Sequence, residues 1–516
     1  MVSSQTLTVS SGISWLHTAI INLMKIAVAV PPITDFYFSP LRAAAMGAAT
    51  VARALQLAGH KTNMFNFMQM GKKTHKVTLP EKLSYLSDFL VVNEFGPTSF
   101  FTNYRRMGPD PASCAEKIVL TNPDAVWISC FAFAYSDDAI LLAQEIKKLD
   151  SSLSITIGGG GPSALSSYFL RSDSIDTVCI GEVETEIENL LIQTSRAHES
   201  FTTEESMIFV PVVLPPHRGT VRVSLSLTRG CPKRCAFCSN FLTQGRIFRC
   251  TPLKNVYEEI NRLEINTIET HSIHFAFEDD NILLDREYFY AVLNCIQDKF
   301  PKATFSAENG LDYLLLTEGI IDRLINFGIT QFNLSAGSMD SRTLKNQHRV
   351  HNFQKLKEIL SYIHTKEIKT ILYFICGLSE DTPESVVDAL LELSKLPIEV
   401  GISPFYAVPG LPGYEERELF LNNPAYLCKG SSLYPWNKSL TTKQLMTAFR
   451  LARFVNLSRH PDQDRDLLDT CFQTGMIFTR VRGNSQKNQQ PQLIPVESCE
   501  TSMVDRFFQN YSRGNG

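Results

Sequence analysis

Short, continuously apolar segments alternate with longer amphipathic segments from Lys25 to about Ser195. The apolar segments predict buried strands, and the longer segments between them predict helices. Strands that stay apolar along their whole length are typical of a parallel sheet covered by helices on both faces. We therefore expect a doubly wound α/β domain over residues 24–198.

A second alternating series follows a polar, Pro-rich stretch that predicts a linker over residues 199–220. Between residues 221 and 415, six strand-like segments alternate with helical patterns, which fits a partial, TIM-like parallel barrel. Residues 416–516 predict a helical region that ends in a polar tail. The expected fold class is thus α/β: a Rossmann-like parallel sheet, then a partial (β/α)6 barrel, then a helical C-terminal region.

Two segments stand outside this alternation. An insertion rich in Phe, Tyr and Pro separates the second and third front strands, over about residues 71–110, and fits either a lid or a packing arm. Residues 1–23 are expected to be an extension, because Met24 opens the first buried strand and is an alternative start to Met1. No basic segment precedes the apolar stretch near the N-terminus, so we expect no signal peptide.

Composition narrows the possible functions. Apolar residues make up 44% of the 516 residues, which is enough to bury large cores. Lys and Arg number 49 against 53 Asp and Glu, a balance that argues against a general nucleic-acid coat. No apolar run approaches ~18 residues, so no membrane span is expected. Three of the twelve cysteines crowd into eight residues, which indicates a metal site in a reducing, cytoplasmic setting.

The crowded cysteines, Cys231, Cys235 and Cys238, follow the first predicted barrel strand. A structural zinc site needs four ligands, and no second Cys pair or Cys/His pair lies nearby in the sequence. Three thiolates from one loop suit a [4Fe–4S] cube, in which one iron stays open to another ligand. Three buried thiols without a metal are the alternative interpretation.

With Phe237 as the aromatic residue, the three cysteines form a C-x3-C-x-Φ-C motif that resembles the signature of the radical S-adenosylmethionine superfamily. The resemblance implies a [4Fe–4S] cluster on the cysteines, S-adenosylmethionine on the fourth iron, and formation of a 5′-deoxyadenosyl radical. It also implies an external electron donor such as flavodoxin or ferredoxin. The residues that it implies for S-adenosylmethionine binding are Phe237, Glu278, Asp279, Asp280, Ser335 and Tyr406.

These binding residues follow strand ends of the predicted barrel. The acidic turn Glu278-Asp279-Asp280 resembles the segment that receives the amino group of S-adenosylmethionine, since an ammonium needs an anionic acceptor. A merely exposed acidic turn is the alternative. Ser335 stands where related proteins often carry Glu-Ser-Gly, and the sequence departs from that pattern here. Tyr406 follows the sixth strand, which fits a backbone edge for adenine.

The front domain resembles the cobalamin-binding domain that is fused to many of these barrels. The resemblance rests on strand ends that carry Ser129, the glycine run 158–161 and Gly181-Glu-Val-Glu184. The Asp-x-His-x-x-Gly loop of one cobalamin class does not occur in residues 24–200, so backbone and shape would hold the cofactor. A tight turn is the alternative interpretation of the glycine run. The implied cobalamin residues are Ser129, Gly158, Gly159, Gly160, Gly181 and Glu182.

These expectations favour radical methylation of an unactivated carbon, with cobalamin as the methyl source and a substrate that the sequence does not identify. A cobalamin-free radical enzyme with a degenerate front domain, catalysing rearrangement, oxidation or cyclisation, is one alternative. A non-catalytic iron–sulfur protein that uses its barrel for partner recognition is another. Formation of 5′-deoxyadenosine under reductant would separate the two enzyme hypotheses from the third.

Overall fold

The computed structural model describes residues 23–39, 44–70, 74–101, 103–192, 195–265, 272–482 and 491–511. The extension expected over residues 1–23 lies outside these ranges apart from Leu23, and so does part of the expected polar tail. Two parallel sheets account for most of the described core. Among the described helices, none combines the length and the apolarity that a bilayer crossing needs.

The front sheet has six parallel strands in the order β6-β5-β4-β3-β1-β2. The strand order reverses between β1 and β3, and in open parallel sheets such a reversal opens a crevice at the carboxyl ends of the strands. The strands are β1 (Lys25–Val30), β2 (Lys61–Asn66), β3 (Ala125–Ser129), β4 (Ser154–Gly158), β5 (Thr177–Gly181) and β6 (Ala197–Ser200).

Both faces of the four inner strands are buried, which explains why β1, β3, β4 and β5 are largely apolar. On β1, Ile26 and Val28 pack against the helices of one face, whereas Ala27 and Ala29 pack against those of the other. The edge strand β6 is polar instead. Its polar sequence explains why the linker predicted over residues 199–220 overlaps the end of this strand. The front helices are α1 (Met46–Leu57), α2 (Pro111–Val119), α3 (Ser136–Leu149), α4 (Gly160–Ala164), α5 (Ser166–Leu170) and α6 (Ile187–Ile192).

The second sheet is the predicted partial barrel, because six parallel strands follow one another in sequence order and the first does not pair with the last. A short strand at Val212–Val213 adds to it antiparallel to β7. Its parallel strands are β7 (Thr220–Leu225), β8 (Ser272–Phe277), β9 (Thr304–Ala307), β10 (Ile329–Gly337), β11 (Lys369–Cys376) and β12 (Glu399–Pro404). The intervening helices are α7 (Phe241–Gln244), α8 (Leu253–Arg262), α9 (Arg286–Lys299), α10 (Glu318–Asn326), α11 (Ser341–Asn346), α12 (Phe353–Thr365) and α13 (Pro383–Ser394).

A helical region covers the open edge of the barrel, as the sequence predicts. Its helices are α14 (Arg417–Leu421), α15 (Thr442–Arg459), α16 (Arg465–Thr474) and α17 (Thr501–Asn510). From α15, the Asn456 side chain accepts a hydrogen bond from the Val400 amide at 2.8 Å and donates one to the Val400 carbonyl at 3.0 Å. These bonds satisfy edge groups of β12 that would otherwise lack partners. The expected α/β fold class is therefore confirmed.

The insertion over residues 71–110 packs against this helical region, which favours the arm over the lid. Its strand Glu94–Phe95 joins a small antiparallel sheet with Phe478–Val481 and Gln492–Pro495. The guanidinium of Arg450 on α15 binds both carboxylate oxygens of Glu94 at 2.9 Å, and neither side chain is exposed. A fully buried bidentate pair of this kind fixes the insertion to the molecule.

We expect Glu94→Leu to destabilise the protein by about 3–5 kcal/mol, because it leaves the Arg450 guanidinium buried without a counter-charge. The double variant Glu94→Leu/Arg450→Met should recover much of that loss, because no isolated charge remains. Urea unfolding followed by circular dichroism measures both effects. A double variant as unstable as the single one would contradict this view of the pair.

Candidate active site

The cysteine loop begins where β7 ends. Thr228–Arg229 pairs antiparallel with Arg249–Cys250, which closes residues 230–248 into a loop. Gly230 has a φ of +77°, and a Cβ there would collide with the Ile247 carbonyl oxygen. Glycine is therefore required at this position, because only it combines the left-handed conformation with so close a backbone approach. The base of the loop is thus fixed by backbone geometry.

The three cysteines open into one cavity of about 210 Å³ at the carboxyl ends of the barrel strands. We call it the cysteine cavity. Phe237 and Ser335, both predicted to bind S-adenosylmethionine, also line it. Its other lining residues include Lys233, Asn240, Arg246, Asp280, Asn309, Asp312, Arg349 and Tyr373. The structure thus brings the cysteines together with residues from distant barrel strands.

The arrangement of the thiols can be compared with the needs of a single ion and of a cluster. Among the residues that the structure describes, no three His, Cys, Asp or Glu side chains converge as ligands of one metal ion. In a [4Fe–4S] cube each thiolate binds a different iron, so the three sulfurs need not meet at one point. Burial raises the pKa of Cys238 to about 11, with Asp280 and the other two cysteines adding to the effect. Binding to iron would offset this cost by stabilising the thiolate.

Arg349 contacts one of the three cysteines, and sequence reasoning missed it. Its Nη1 lies 3.7 Å from Sγ of Cys235, and its Nη2 donates to the Ser335 carbonyl oxygen at 2.7 Å. Its Nε is buried without a partner. Three thiolates on a 2+ cube leave a net negative charge, and a guanidinium at this distance would offset it. Arg349 lies beyond α11, and no motif or spacing connects it with the cysteines.

The nearer cations in the sequence have other partners. Lys233 forms an ion pair with Asp312 in the cysteine cavity. Arg229 turns away from the cysteines and pairs with Glu182 and Glu184 of the front domain. These two cations, close to the cysteines along the chain, are therefore paired with carboxylates, whereas Arg349 contacts a cysteine.

The acidic turn after β8 sends its three carboxylates to three different places. Glu278 lines the space between the front sheet and the barrel. Asp279 is buried, and its Oδ1 accepts hydrogen bonds from the Leu227 amide, the Thr228 amide and the Thr228 hydroxyl at 2.6–2.8 Å. Asp279 is absent from the lining of the cysteine cavity. Asp279 Oδ1 thus supports the base of the cysteine loop, whereas its Oδ2 is buried without a hydrogen-bond partner. Its contact with S-adenosylmethionine stays a prediction.

Asp280 is the member of the turn that faces the cysteines. Its Oδ1 accepts a hydrogen bond from the Asn240 side chain, whereas its Oδ2 is buried without a partner. Burial raises the pKa of this carboxyl to about 6. A buried oxygen without a donor, beside the cysteines, fits the ammonium group of S-adenosylmethionine.

Tyr406 follows the last barrel strand, where the sequence predicts a backbone edge for adenine. Its side chain lines a separate cavity next to the cysteine cavity, not the cysteine cavity itself. Burial raises the pKa of Tyr406, and the nearby Cys238 and Cys428 contribute to that shift. A contact between its side chain and adenine is therefore not supported by this placement.

A further cavity, of about 240 Å³, lies between the front sheet and the barrel, and we call it the interdomain cavity. Apolar side chains such as Val28 and Trp127 form one wall, and Gly47 at the start of α1 borders it. Five of the six predicted cobalamin residues line this cavity: Ser129, Gly158, Gly159, Gly181 and Glu182. The barrel contributes Ser226, Arg229, Thr243, Gln244 and Glu278.

Backbone packing explains much of the glycine run. Gly159 has a φ of +107°, and a Cβ there would lie 2.6 Å from the Cys130 carbonyl oxygen. A Cβ at Gly160 would lie 2.5 Å from the Phe131 carbonyl oxygen, and Gly160 faces the cavity of Tyr406 instead of the interdomain cavity. The alternative of a tight turn therefore accounts for these two glycines without a cofactor.

The Glu182 carboxylate is occupied by protein groups. Arg249 binds both of its oxygens, at 2.7 and 3.2 Å, and Arg229 binds Oε1 at 3.1 Å. The Thr202 amide donates to Oε2 at 2.7 Å. Burial alone would raise the pKa of Glu182, but Arg249 and Arg229 lower it overall. The Glu182 side chain thus joins the front domain to the base of the cysteine loop, and its contact with cobalamin stays a prediction.

Residues 225–393 match the model of the Radical SAM superfamily. The match runs from the end of β7 to α13 and includes all three cysteines of the loop. The chain therefore carries a radical SAM domain, a type of domain that uses a [4Fe–4S] cluster and S-adenosylmethionine. The family predicted from the cysteine motif is thereby confirmed.

Two curated relatives match parts of the chain. Bacteriochlorophyllide d C-12(1)-methyltransferase of Chlorobaculum tepidum is 24% identical over 281 residues, which are 51% of this chain and 60% of that protein. Ribosomal protein uS12 methylthiotransferase RimO of Pseudothermotoga lettingae is 27% identical over 147 residues, or 27% of this chain and 33% of that one. The chain thus spans less than two thirds of the length of either relative.

Solved structures show a similar architecture. The radical S-adenosylmethionine methyltransferase TsrM of Kitasatospora setae, with cobalamin and a [4Fe–4S] cluster bound, superposes with a TM-score of 0.52. The two chains are 14% identical, and the match covers 76% of this chain and 77% of TsrM. A second TsrM structure, with tryptophan and a S-adenosylmethionine analogue, matches with the same TM-score at 13% identity, over 75% of this chain and 73% of that one. At this identity the likeness concerns the fold.

We expect Asp279→Ala to affect iron content and Asp280→Ala to affect S-adenosylmethionine binding. Asp279→Ala removes an acceptor from three donors beneath the cysteine loop, which costs on the order of 3 kcal/mol or more and should lower iron content. Asp280→Ala should keep the iron but weaken S-adenosylmethionine binding by about ten- to a hundredfold, through loss of one charge-assisted hydrogen bond. Iron analysis and equilibrium dialysis measure the two effects.

The two neighbouring variants control for each other. Full iron content in Asp279→Ala would contradict its supporting role. Unchanged S-adenosylmethionine affinity in Asp280→Ala would contradict the assignment of this carboxylate to the ammonium group.

Proposed function

We propose that this protein is a cobalamin-dependent radical S-adenosylmethionine enzyme that methylates an unactivated carbon of its substrate. The radical SAM domain supports the radical chemistry, and the arrangement of two cavities supports the dependence on cobalamin. The cysteine loop separates the cysteine cavity from the interdomain cavity: its cysteines line the first, whereas Arg229 and Gln244 line the second. A cluster and a corrinoid could therefore occupy opposite sides of one loop.

In the cysteine cavity, Cys231, Cys235 and Cys238 would hold the cluster, which with S-adenosylmethionine supplies a 5′-deoxyadenosyl radical. Arg349 would offset the negative charge of the thiolates through its contact with Cys235. Asp280 would bind the ammonium group through its unpartnered oxygen. These roles follow from charge and position in the cavity.

In the interdomain cavity, the strand ends of the front sheet would hold cobalamin, which supplies the methyl group when bound. No histidine occurs among the described residues that line this cavity. Apolar walls at Val28 and Trp127 and the small residues Gly47 and Gly158 suit a bulky macrocycle held by shape. The ion pairs of Glu182 would keep this cavity in place against the cysteine loop.

We also propose an electron donor and a cellular setting for the enzyme. A cluster of this kind needs a one-electron donor, so we propose an external protein such as flavodoxin or ferredoxin. The described cysteines are all free thiols, which suits a reducing cytoplasmic setting.

We expect Cys235→Ala to lose its cluster and all formation of 5′-deoxyadenosine, because it removes one of the three thiolates. Cys295→Ala is the matched control, since this half-buried thiol on α9 lines none of the three cavities. Iron and sulfide analysis with absorption near ~400 nm measures the cluster in anaerobically purified protein. Full iron in Cys235→Ala would contradict the ligand assignment. A wild-type cluster that never yields 5′-deoxyadenosine would favour a non-catalytic iron–sulfur protein.

We expect Gly47→Leu to prevent corrinoid binding while the cluster is retained. A Cβ at Gly47 meets no atom within 4 Å, so the new side chain can project into open space at the interdomain cavity without disturbing the fold. Gly159 is unsuitable for this purpose, because any side chain there would collide with the Cys130 carbonyl. The corrinoid spectrum of protein produced with cobalamin, together with its iron content, measures the effect.

Gly319→Leu is the matched control, because Gly319 lies on α10 away from the cavities and also has no atom within 4 Å of a Cβ. Wild type and Gly319→Leu should each bind about one corrinoid. Wild-type protein that binds none, yet forms 5′-deoxyadenosine, would favour the cobalamin-free alternative. Full binding by Gly47→Leu would show that the interdomain cavity is not the corrinoid site.

A further inference from the structure

A third cavity, of about 290 Å³, lies where the front sheet, the cysteine loop and the last barrel strand meet. We call it the neutral cavity, and its walls include Phe131, Phe133, Leu242, Tyr406, Val408 and Cys428. It shares Asn240 with the cysteine cavity, and it shares Thr243 and Gln244 with the interdomain cavity. It is therefore adjacent to both proposed cofactor sites.

Charge distinguishes this cavity from its neighbours. The cysteine cavity is lined by five charged side chains, and the interdomain cavity is lined by four. Among the described residues, no Asp, Glu, Lys, Arg or His lines the neutral cavity. A charged group that entered it would lose hydration without gaining a counter-charge, which is costly.

The charges behind its wall already have partners. Next to Cys428, Lys429 contacts the Thr34 carbonyl oxygen. Asp137 accepts hydrogen bonds from the Tyr168 hydroxyl at 2.5 Å and from the Ala425 amide at 3.0 Å. These contacts are directed into the protein, so the charges do not compensate for the neutral lining.

The walls of the cavity differ in polarity. The segment that follows the third cysteine contributes the uncharged polar side chains Ser239, Asn240, Thr243 and Gln244. The opposite walls are aromatic and aliphatic. Phe131 and Tyr406 keep 39% and 43% of their surfaces exposed, although large apolar side chains are usually buried. Phe131 also packs against Tyr135, with ring centroids 4.9 Å apart, so its remaining surface extends an aromatic wall. Aromatic side chains and uncharged amides and hydroxyls in one cavity suit a flat ring that has hydrogen-bonding groups along one edge.

We propose that the neutral cavity binds the substrate and that the part of the substrate bound there is an uncharged, flat, unsaturated ring system. The location of this site between two cofactors rests on the proposed function, but its selectivity follows from the lining alone. Any charged groups of the substrate would have to lie outside this cavity.

A matched pair of probes tests the selectivity. The neutral 2-naphthol and the anionic 2-naphthoate share one ring system and differ in charge at pH 7.5. Isothermal titration calorimetry with the full chain, purified anaerobically with its cluster, measures both affinities. We expect 2-naphthol to bind at least tenfold more tightly, because the carboxylate would find no counter-charge in the cavity.

Substitutions at Phe131 test the location. Phe131→Ala should weaken 2-naphthol binding about tenfold through loss of the ring contact. Tyr257→Ala on α8 is the matched control, because Tyr257 is exposed to a similar degree, 37%, and lines none of the three cavities. Phe131→Lys should reverse the preference by raising 2-naphthoate affinity at least tenfold, since it supplies the missing counter-charge.

Equal affinity of wild type for the two probes would overturn the proposal. Equal effects of Phe131→Ala and Tyr257→Ala would also overturn it, because binding would then occur elsewhere. Neither result would alter the iron and corrinoid measurements, so the proposed function would stand. Conversely, a failure to bind corrinoid would leave the probe selectivity unchanged, so the two failures are distinguishable.

Discussion

The position of the candidate site depends on one buried carboxylate. Glu182, at the end of the front sheet, pairs with Arg229 and Arg249 at the base of the cysteine loop. Glu184 also pairs with Arg229, so two carboxylates and two guanidiniums are buried together. Burying four charges is tolerable only because each has a partner, and removal of one leaves another uncompensated. The pairing brings the carboxyl ends of both sheets face to face. The interdomain cavity and the neutral cavity lie along that contact, and the cysteine cavity adjoins the neutral cavity at Asn240.

The cysteine loop is consequently held from two sides. Arg229 connects it to the front domain, and Asp279 holds Thr228 from within the barrel. A loop that carries three ligands needs such support, because cluster ligands must be oriented by groups outside the first coordination sphere. The same polar contacts set the spacing between the cysteine cavity and the interdomain cavity. Fold stability and the proposed chemistry therefore depend on the same residues.

Much of the fold was predictable from the sequence, because a buried element has a characteristic pattern of apolar residues along the chain. A strand such as β1 packs helices on both faces, so Ile26, Ala27, Val28 and Ala29 must all be apolar. The cysteine motif was equally readable, because its three cysteines lie within eight residues of one loop. The polar edge strand Ala197–Ser200 was missed in part because only one neighbouring strand constrains it.

The sequence by itself determined the two parallel sheets and the cysteine loop, because both depend on residues that are close along the chain. Only the tertiary structure decided the partners of the charged side chains. Successive residues at a strand end point in different directions, so Asp279 supports the loop while Asp280 faces the cysteines. Arg349 reaches Cys235 from a helix end more than a hundred positions away. Such contacts arise from packing between distant elements, which no local pattern encodes.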